Sequence, residues 1–230
     1  MFKVNYDGFE SLLCSINNDP LELWSKYISL DGSIKRVKDQ LLNGDGVIEI
    51  IGKTARSNSV DCIPTTLTCP ADSKDFLRSK LPILVLVLKN LRLEGKLEFQ
   101  FLDQQDYRRK FVLITNSTRE KIPKVTPSSV FLPFILEDDW NLLELNLQNL
   151  SKDFFGTDYK FLQRITLHPN FRFRRIYLQD RHYERDEIIQ NIQQALTDVY
   201  NLKKSLTFTD KNCQTQSIFL HSIPVITMKK

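Results

Sequence analysis

Apolar and polar residues alternate with a period near two along much of the chain, most clearly between residues 136 and 187. Such segments, separated by turn residues, are typical of strands that place one face on a core. Three of them are Leu142-Leu-Glu-Leu-Asn-Leu147, Leu162-Gln-Arg-Ile-Thr-Leu167 and Phe171-Arg-Phe-Arg-Arg-Ile-Tyr177. This pattern predicts an all-β chain folded as an antiparallel β-sandwich over residues 1–183.

The longest apolar run, Leu81-Pro-Ile-Leu-Val-Leu-Val-Leu88, is far too short to span a membrane. Its β-branched residues and lack of alternation predict a strand that is buried on both faces. The segments 97–101 and 110–114 flank a polar turn and predict a hairpin. Trp24 and Trp140 lie among apolar neighbours, and we expect them to anchor the core with each indole N–H on a carbonyl oxygen.

The period changes after residue 183. Between residues 184 and 205, apolar residues recur every three or four positions, which predicts an amphipathic helix. The helix either packs on its own sandwich, which we favour, or docks on a neighbouring protein. We therefore assign residues 184–230 to a C-terminal helix and tail, whose end, 216–226, is a last strand or an extended arm.

Composition narrows the class of protein. The net charge is +4 and the pI about 8.8, less basic than is usual for nucleic-acid-binding proteins. The four cysteines have neither metal-ligand nor disulfide spacing, and the N-terminus lacks a signal-peptide pattern, so we expect a reducing compartment. His168, His182 and His221 have no metal-ligand spacing either, and no glycine-rich phosphate loop is present. We predict no catalytic residues, cofactor or metal.

A set of short motifs carries a family resemblance over roughly residues 1–188. The motifs are Met1-Phe2-Lys3, Gly8-Phe9, Pro20-Leu21 with Trp24, Gly32-Ser-Ile-Lys-Arg36, Thr68-Cys-Pro-Ala-Asp72, Lys80-Leu-Pro82 leading to Leu88-Lys-Asn-Leu91, Leu102-Asp103 with Arg108-Arg109 and Phe111, and Arg174-Arg-Ile-Tyr177 with Asp180-Arg181. In this order and spacing, the chain resembles the cilia- and flagella-associated protein 20 family. Its C-terminal segment departs from the family pattern, as a specialised paralogue would.

The resemblance implies a jelly-roll-like β-sandwich that acts as a non-enzymatic structural protein of the ciliary axoneme. Members of the family lie at the inner junction of doublet microtubules, where the B-tubule closes onto the A-tubule. The resemblance therefore implies α/β-tubulin protofilaments, the parkin co-regulated protein and other microtubule inner proteins as partners. A location in the cilium or flagellum, the basal body or the centriole follows from it as well.

Basic residues are the candidate partner-binding positions, because tubulin surfaces are acidic. The candidates are Lys35, Arg36, Arg108, Arg109, Arg164, Arg172, Arg174 and Arg181. We expect Arg172 and Arg174 to lie beside Arg164 across a hairpin and to form a cationic stripe. The alternative is a solvated edge whose charges prevent association between sheets.

Two other binding functions remain open at this point. Phe171, Phe173 and Tyr177 would share one strand face, which a sugar-binding jelly roll uses as a stacking platform. The same alternation of arginine and aromatic residues is found in proteins that bind single-stranded nucleic acid. The excess of Phe (15 residues) over Tyr and Trp together (7 and 2) favours a packed core over either function.

Overall fold

The computed structural model describes residues 5–6, 8–53, 64–115, 123–183 and 225–227. These residues form fifteen strands and one α-helix. The elements are β1 (Asn5–Tyr6), β2 (Phe9–Cys14), β3 (Ser25–Tyr27), β4 (Ser33–Asp39), β5 (Asp45–Ile51), β6 (Thr66–Cys69), β7 (Ile83–Asn90), β8 (Gly95–Asp103), β9 (Arg108–Thr115), β10 (Lys124–Val125), β11 (Ser129–Phe134), β12 (Trp140–Asn146), α1 (Leu147–Phe155), β13 (Tyr159–Leu167), β14 (Phe171–Gln179) and β15 (Val225–Thr227).

The strands form two sheets, which confirms the predicted all-β sandwich. Sheet A has the order β1-β2-β14-β7-β12-β15, with β5 also paired to β14 and β4 paired to β5. Sheet B has the order β10-β11-β9-β8-β13-β6-β3. Most pairs are antiparallel as predicted, but β11 runs parallel to β9 and β15 runs parallel to β12.

The core lies between the sheets and is rich in phenylalanine. The largest fully buried side chains include Phe99, Phe101, Phe111, Phe171 and Phe173. Burying such a side chain contributes roughly 1.5–3 kcal/mol to stability. The Phe-rich composition therefore reflects packing.

The strand β7 is buried on both faces, as its sequence predicts. Leu84, Leu86 and Leu88 face the core, whereas Ile83 and Val85 pack in a separate apolar cluster on the other face of sheet A. The predicted hairpin is also present, as β8 and β9. The alternation of β8 is regular along its nine residues, with every second residue buried.

The connection between β13 and β14 differs from the prediction. His168, Pro169 and Asn170 carry the chain from sheet B to sheet A, so the two strands do not form a hairpin. Asn170 has a left-handed φ of 78°, and its side-chain nitrogen donates to the Glu94 carbonyl at 2.7 Å. Local alternation gives the same pattern for a hairpin and for a crossover between sheets, so the sequence did not distinguish them.

A bulge in β14 changes which residues face the core. Phe173 pairs with Leu88 and Arg175 pairs with Val87, so the residue between them, Arg174, has no direct partner on β7. Beyond this bulge the pattern shifts by one residue. Arg175 and Tyr177 thus lie on the outer face of sheet A. The period had predicted instead that Tyr177 would share a face with Phe171 and Phe173.

The helix α1 was not predicted from the pattern of apolar residues. Asn146 caps its start by accepting a hydrogen bond from the Asn149 N–H at 2.9 Å, and Gly156 ends it in the left-handed conformation with φ 67°. Asn before the helix and Gly after it are the signals that mark such a helix. The strand-like alternation on both sides of the helix had masked them.

The two tryptophans are buried, as predicted. The Trp24 indole N–H donates to the Leu12 carbonyl at 2.8 Å. The Trp140 indole N–H instead donates to the Asp39 carboxylate at 3.3 Å. The expectation of a carbonyl partner is therefore confirmed for Trp24 and wrong for Trp140.

The C-terminal predictions are tested only in part. The predicted helix at 184–205 lies outside the described residues, and the boundary at residue 183 stays a prediction. Residues 225–227 form β15, which pairs with β12 at the edge of sheet A. In the described part of the chain, the sandwich up to Asp180 and β15 belong to one compact unit, and Arg181 begins a second.

No helix among the described residues has the length and apolar character needed to cross a membrane.

Candidate partner-binding surfaces

Arg172 is the centre of an ion-pair network on the outer face of sheet A. Its guanidinium lies 2.8 Å from Asp39 Oδ2 and 2.7 Å from Glu49 Oε2. The Asp39 carboxylate is almost fully buried and also accepts from Trp140 and from the Leu41 N–H. Arg172 is thus held by two acidic groups of its own chain.

The charge balance of this network shows in the pKa of Asp39. Burial by itself raises this pKa, but the hydrogen bonds from Arg172 and Trp140, with the nearby Lys89 charge, bring it below its usual value. The carboxylate is therefore ionised and fully engaged with its own chain.

Arg174 is engaged in the same way. Its guanidinium donates to Asp45 Oδ2 at 2.6 Å and to the Ser15 hydroxyl at 3.0 Å. Only 13% of its side chain is exposed. Arg174 occupies the bulge of β14, so the extra residue directs its guanidinium onto β5.

These contacts correct the predicted cationic stripe. Arg164 lies on β13 in sheet B, whereas Arg172 and Arg174 lie on β14 in sheet A, so the three residues do not form one surface. Asp39, Asp45 and Glu49 also neutralise Arg172, Arg174 and Lys89 around them. The two β14 arginines are held by carboxylates within the chain, and their role as partner contacts remains an untested prediction.

The strand β4 carries the cations that this network leaves uncompensated. Lys35, Arg36 and Lys38 are exposed, and within the described residues none of them lies within 4 Å of a carboxylate. Lys35 stands opposite Glu49 in the register, but Glu49 is bound to Arg172. Arg36 extends across Gly46, where a Cβ would lie 2.5 Å from its Nε. We call Lys35, Arg36 and Lys38 the β4 cationic edge.

A second basic surface lies on the outer face of sheet B. Lys110 and Arg164 both pair in register with Gln100, so they flank it on the neighbouring strands. Arg108 is two residues before Lys110 on β9 and therefore shares its face. Lys96, Arg108, Lys110 and Arg164 form what we call the sheet B cationic face.

The cations of this face have different partners. Lys96 and Lys110 contact the Glu98 carboxylate at 2.8 and 3.3 Å. Arg164 donates to the Ser73 and Asp75 carbonyl oxygens, and Arg108 lies 5.6 Å from the centre of the Phe76 ring. Among the described residues, Glu98 is the only carboxylate within 4 Å of these four cations, so the surface carries an excess of positive charge.

The buried His168 and the partly buried Glu98 form a pair at the edge of the sheet B cationic face. His168 Nε2 lies 3.1 Å from Glu98 Oε1. Burial lowers the pKa of His168, which outweighs the hydrogen bond to Glu98 that would raise it. Burial by itself raises the pKa of Glu98, but hydrogen bonds from His168 and Lys96 bring it well below its usual value. The pair is therefore a neutral histidine that donates to a carboxylate, and sequence reasoning missed it because the two residues are distant in the chain.

Arg109, another sequence candidate, stabilises the turn between β8 and β9. Its Nε donates to Asp103 Oδ2 at 2.8 Å, and its guanidinium lies 4.8 Å from the centre of the Phe155 ring. Asp103 is fully buried and also accepts from the Tyr107 N–H and the Thr157 hydroxyl. Arg109 is thus turned inward, away from the face that carries Arg108.

Arg181 lies at the start of the second compact unit. Its guanidinium carbon lies 4.1 Å from the centre of the Tyr183 ring, and it donates to the His182 carbonyl at 3.3 Å. These contacts are local, and they leave its predicted partner role untested.

The aromatic platform on which the two alternative functions rested is not formed. Phe171 and Phe173 are fully buried in the core, and Tyr177 lies on the opposite face of the sheet with 3% exposure. Neither a sugar ring nor a base could stack on these side chains. Within the described ranges, no group of three or more His, Cys, Asp or Glu side chains is placed to hold a metal ion.

The chain is similar to proteins named for cilia and flagella. It is 37% identical to "Cilia- and flagella-associated protein 20" of Paramecium tetraurelia over 189 residues, which is 82% of this chain and 93% of the relative. The protein of the same name from Chlamydomonas reinhardtii is 38% identical over the same shares. That of Caenorhabditis elegans is 32% identical over 79% of this chain and 83% of its own length.

The similarity to one solved structure is weaker. The chain is similar to the xylanase 10B modules of Clostridium thermocellum with 13% identity and a TM-score of 0.38, over 75% of this chain and 29% of that one. A similarity at this level does not bear on function.

Residues 1–196 match the CFA20 domain, which covers both cationic surfaces and the whole of the described sandwich except β15. The match and the identities to the ciliary relatives lead to one conclusion: the chain belongs to the CFA20 domain family of cilia- and flagella-associated proteins.

Proposed function

We propose that this protein is a non-enzymatic structural component of ciliary doublet microtubules, where it bridges tubulin protofilaments at the inner junction between the A- and B-tubules. Its partners there are α/β-tubulin, the parkin co-regulated protein and other inner-junction proteins. An equivalent junction in basal bodies or centrioles is part of the same proposal.

The observation that supports bridging is the presence of two cationic surfaces on different sheets. The β4 cationic edge belongs to sheet A, and the sheet B cationic face belongs to the other layer of the sandwich. A protein that joins two acidic filaments needs two such surfaces. Complementary charge of this kind steers and orients docking more than it adds affinity.

The first test compares substitutions that reverse or remove charge on the two surfaces. Lys35→Glu/Lys38→Glu alters the β4 cationic edge, and Arg108→Glu/Lys110→Gln alters the sheet B cationic face. The matched control is Lys26→Glu/Lys124→Glu, which changes exposed residues on β3 and β10. We expect each surface variant to bind microtubules more weakly in co-sedimentation, while the control binds as the unaltered protein does. Unchanged pelleting of both surface variants would contradict the proposal.

The second test is cellular. In a ciliated cell that lacks the protein, the tagged chain is expected to restore contact between the A- and B-tubules in electron cryotomograms of axonemes. The variants of either surface are expected to reach the cilium and to leave the junction open more often. A tagged protein that stays out of every microtubule-based organelle would rule out the function.

A further inference from the structure

The strand β4 differs from the other outer strands of the two sheets. Among the described residues, the strands β1, β15, β3 and β10 end the sheets and have only two or three residues each. The strand β4 has seven residues, and in the part of the chain that the structure describes it pairs on one side only, with β5. It therefore offers the longest row of backbone groups on which a further strand could pair.

The charges on β4 lie on both of its faces. Lys35 shares a face with Glu49, its register partner, whereas Arg36 and Lys38 are on the other face, because side chains alternate along a strand. An acidic strand added beside β4 would place its own carboxylates on both faces and would meet a cation on each. An apolar strand would find no such partners.

The acids near β4 do not compete for these cations. Asp39 and Glu49 are bound to Arg172, and Asp45 is bound to Arg174. The network on β14 thus neutralises the carboxylates of β4 and β5 and leaves the edge lysines available to another molecule.

The strand is also held in place by apolar contacts on both of its faces. Ile34 packs against the main core, and Val37 packs against the cluster that contains Trp140. A strand fixed in this way loses little conformational freedom when a peptide pairs with it.

We propose that the β4 edge binds an extended peptide rich in glutamate or aspartate, which adds to sheet A as a further strand. Backbone hydrogen bonds hold the peptide, and the three cations select its charge. Sheet A already takes up a short extended segment of its own chain in this way, since β15 pairs with β12 at Leu142–Glu144. The proposal concerns this edge alone and does not depend on where the protein acts in the cell.

Edge lysines commonly prevent strands from associating, and that role accounts for the exclusion of apolar strands. A single charge would suffice to exclude an apolar strand. Cations on both faces, with Asp39, Asp45 and Glu49 already engaged, form instead a surface that is complementary to an acidic strand.

The test uses two synthetic peptides and the full chain. One is an oligoglutamate long enough to pair with all seven residues of β4, and the other has the same number of glutamates alternating with prolines. Proline lacks the N–H that a ladder requires, so the second peptide matches the charge without the pairing. We expect the oligoglutamate to bind at least about tenfold more tightly, which corresponds to about 1.4 kcal/mol.

Amide chemical shifts and matched variants locate the binding. Shifts caused by the oligoglutamate are expected to concentrate in β4 and β5. Lys35→Glu/Lys38→Glu is expected to abolish them, and Lys26→Glu/Lys124→Glu to leave them unchanged, with thermal unfolding confirming that both variants fold. Equal affinity for the two peptides, shifts outside β4 and β5, or no binding at all would each overturn the proposal. An unaltered protein that binds the oligoglutamate but does not pellet with microtubules would instead count against the proposed function alone.

Discussion

Arg172 and Glu49 stand opposite each other on β14 and β5, and the Arg172 guanidinium contacts the Glu49 carboxylate at 2.7 Å. The residue on the other side of Glu49 in the register is Lys35, on β4. One carboxylate thus lies between two cations and is bound to the inner one. Arg172 therefore has a structural role, whereas Lys35 is available to a partner.

Replacing Arg172 by Ala is expected to destabilise the fold. Asp39 has 2% exposure, and without Arg172 it would remain buried with only Trp140, the Leu41 N–H and Lys89 near it. Breaking a buried ion pair costs about 3–5 kcal/mol, and we expect the lower end because a quarter of the Arg172 side chain is exposed. Urea unfolding measures the change. Lys35→Ala is the control and should leave the urea midpoint of unfolding unchanged. An unchanged urea midpoint for Arg172→Ala would show that the network contributes little to stability.

Gly95 permits the close packing of Phe171. A Cβ at residue 95 would lie 2.3 Å from the Phe171 ring, which is fully buried in the core and cannot move freely. We expect Gly95→Ala to lower the free energy of unfolding by about 1–3 kcal/mol, as overpacking does. The neighbouring exposed residue offers a control, since Glu94→Ala keeps its backbone carbonyl contact with Asn170. Equal thermal unfolding temperatures for the two variants would contradict this account.

The buried His168 is expected to make stability depend on pH in the weakly acidic range. Burial lowers its pKa below the usual 6.5, so the unfolded chain takes up a proton at a pH where the folded chain does not. Stability should therefore fall as the pH drops from about 6.5 toward 5. In His168→Asn the decline over this range should disappear, as measured by urea unfolding at a series of pH values. A persistent decline in the variant would assign it to another group.

A second loss of stability is expected at lower pH. Asp103 is buried, which alone would raise its pKa, but hydrogen bonds from Arg109 and the Tyr107 N–H bring the pKa below its usual 3.8. The stability that this carboxylate supplies is complete above the pKa of the unfolded chain and is lost as the pH falls through the lower pKa of the folded chain. Asp103→Asn should reduce the acid dependence below about pH 4, relative to the unaltered protein. Identical acid unfolding of the two proteins would remove Asp103 from the explanation.

Microtubule association is expected to weaken as salt increases. The exposed cations of both surfaces act through water, where charges are screened over about 8 Å at physiological ionic strength. Binding measured from low to high salt should decline steeply for the unaltered protein. The decline should be shallower for Lys35→Glu/Lys38→Glu. The same salt dependence in both proteins would show that the β4 cationic edge does not contribute.

The sequence could predict which types of residue form the candidate surfaces, but not which of these residues contact their own chain. Lys35, Arg36 and Arg108 are exposed as the prediction required, and Arg164 lies on a basic face. Arg109 turns inward to Asp103, and Arg172 and Arg174 turn to carboxylates of their own chain. The sequence pattern around a charged residue in a strand is the same whether that residue contacts water, another protein or its own chain.

The sequence by itself determined the all-β class, the doubly buried β7, the hairpin of β8 and β9 and the family. These features follow from neighbouring residues, since the period of two and the turn signals are local. Only the tertiary structure decided that β13 and β14 lie in different sheets, that Arg174 occupies a bulge and that Arg172 binds Asp39, 133 residues away in the chain. Charge compensation depends on groups brought together by folding, and a linear pattern does not record which of them meet.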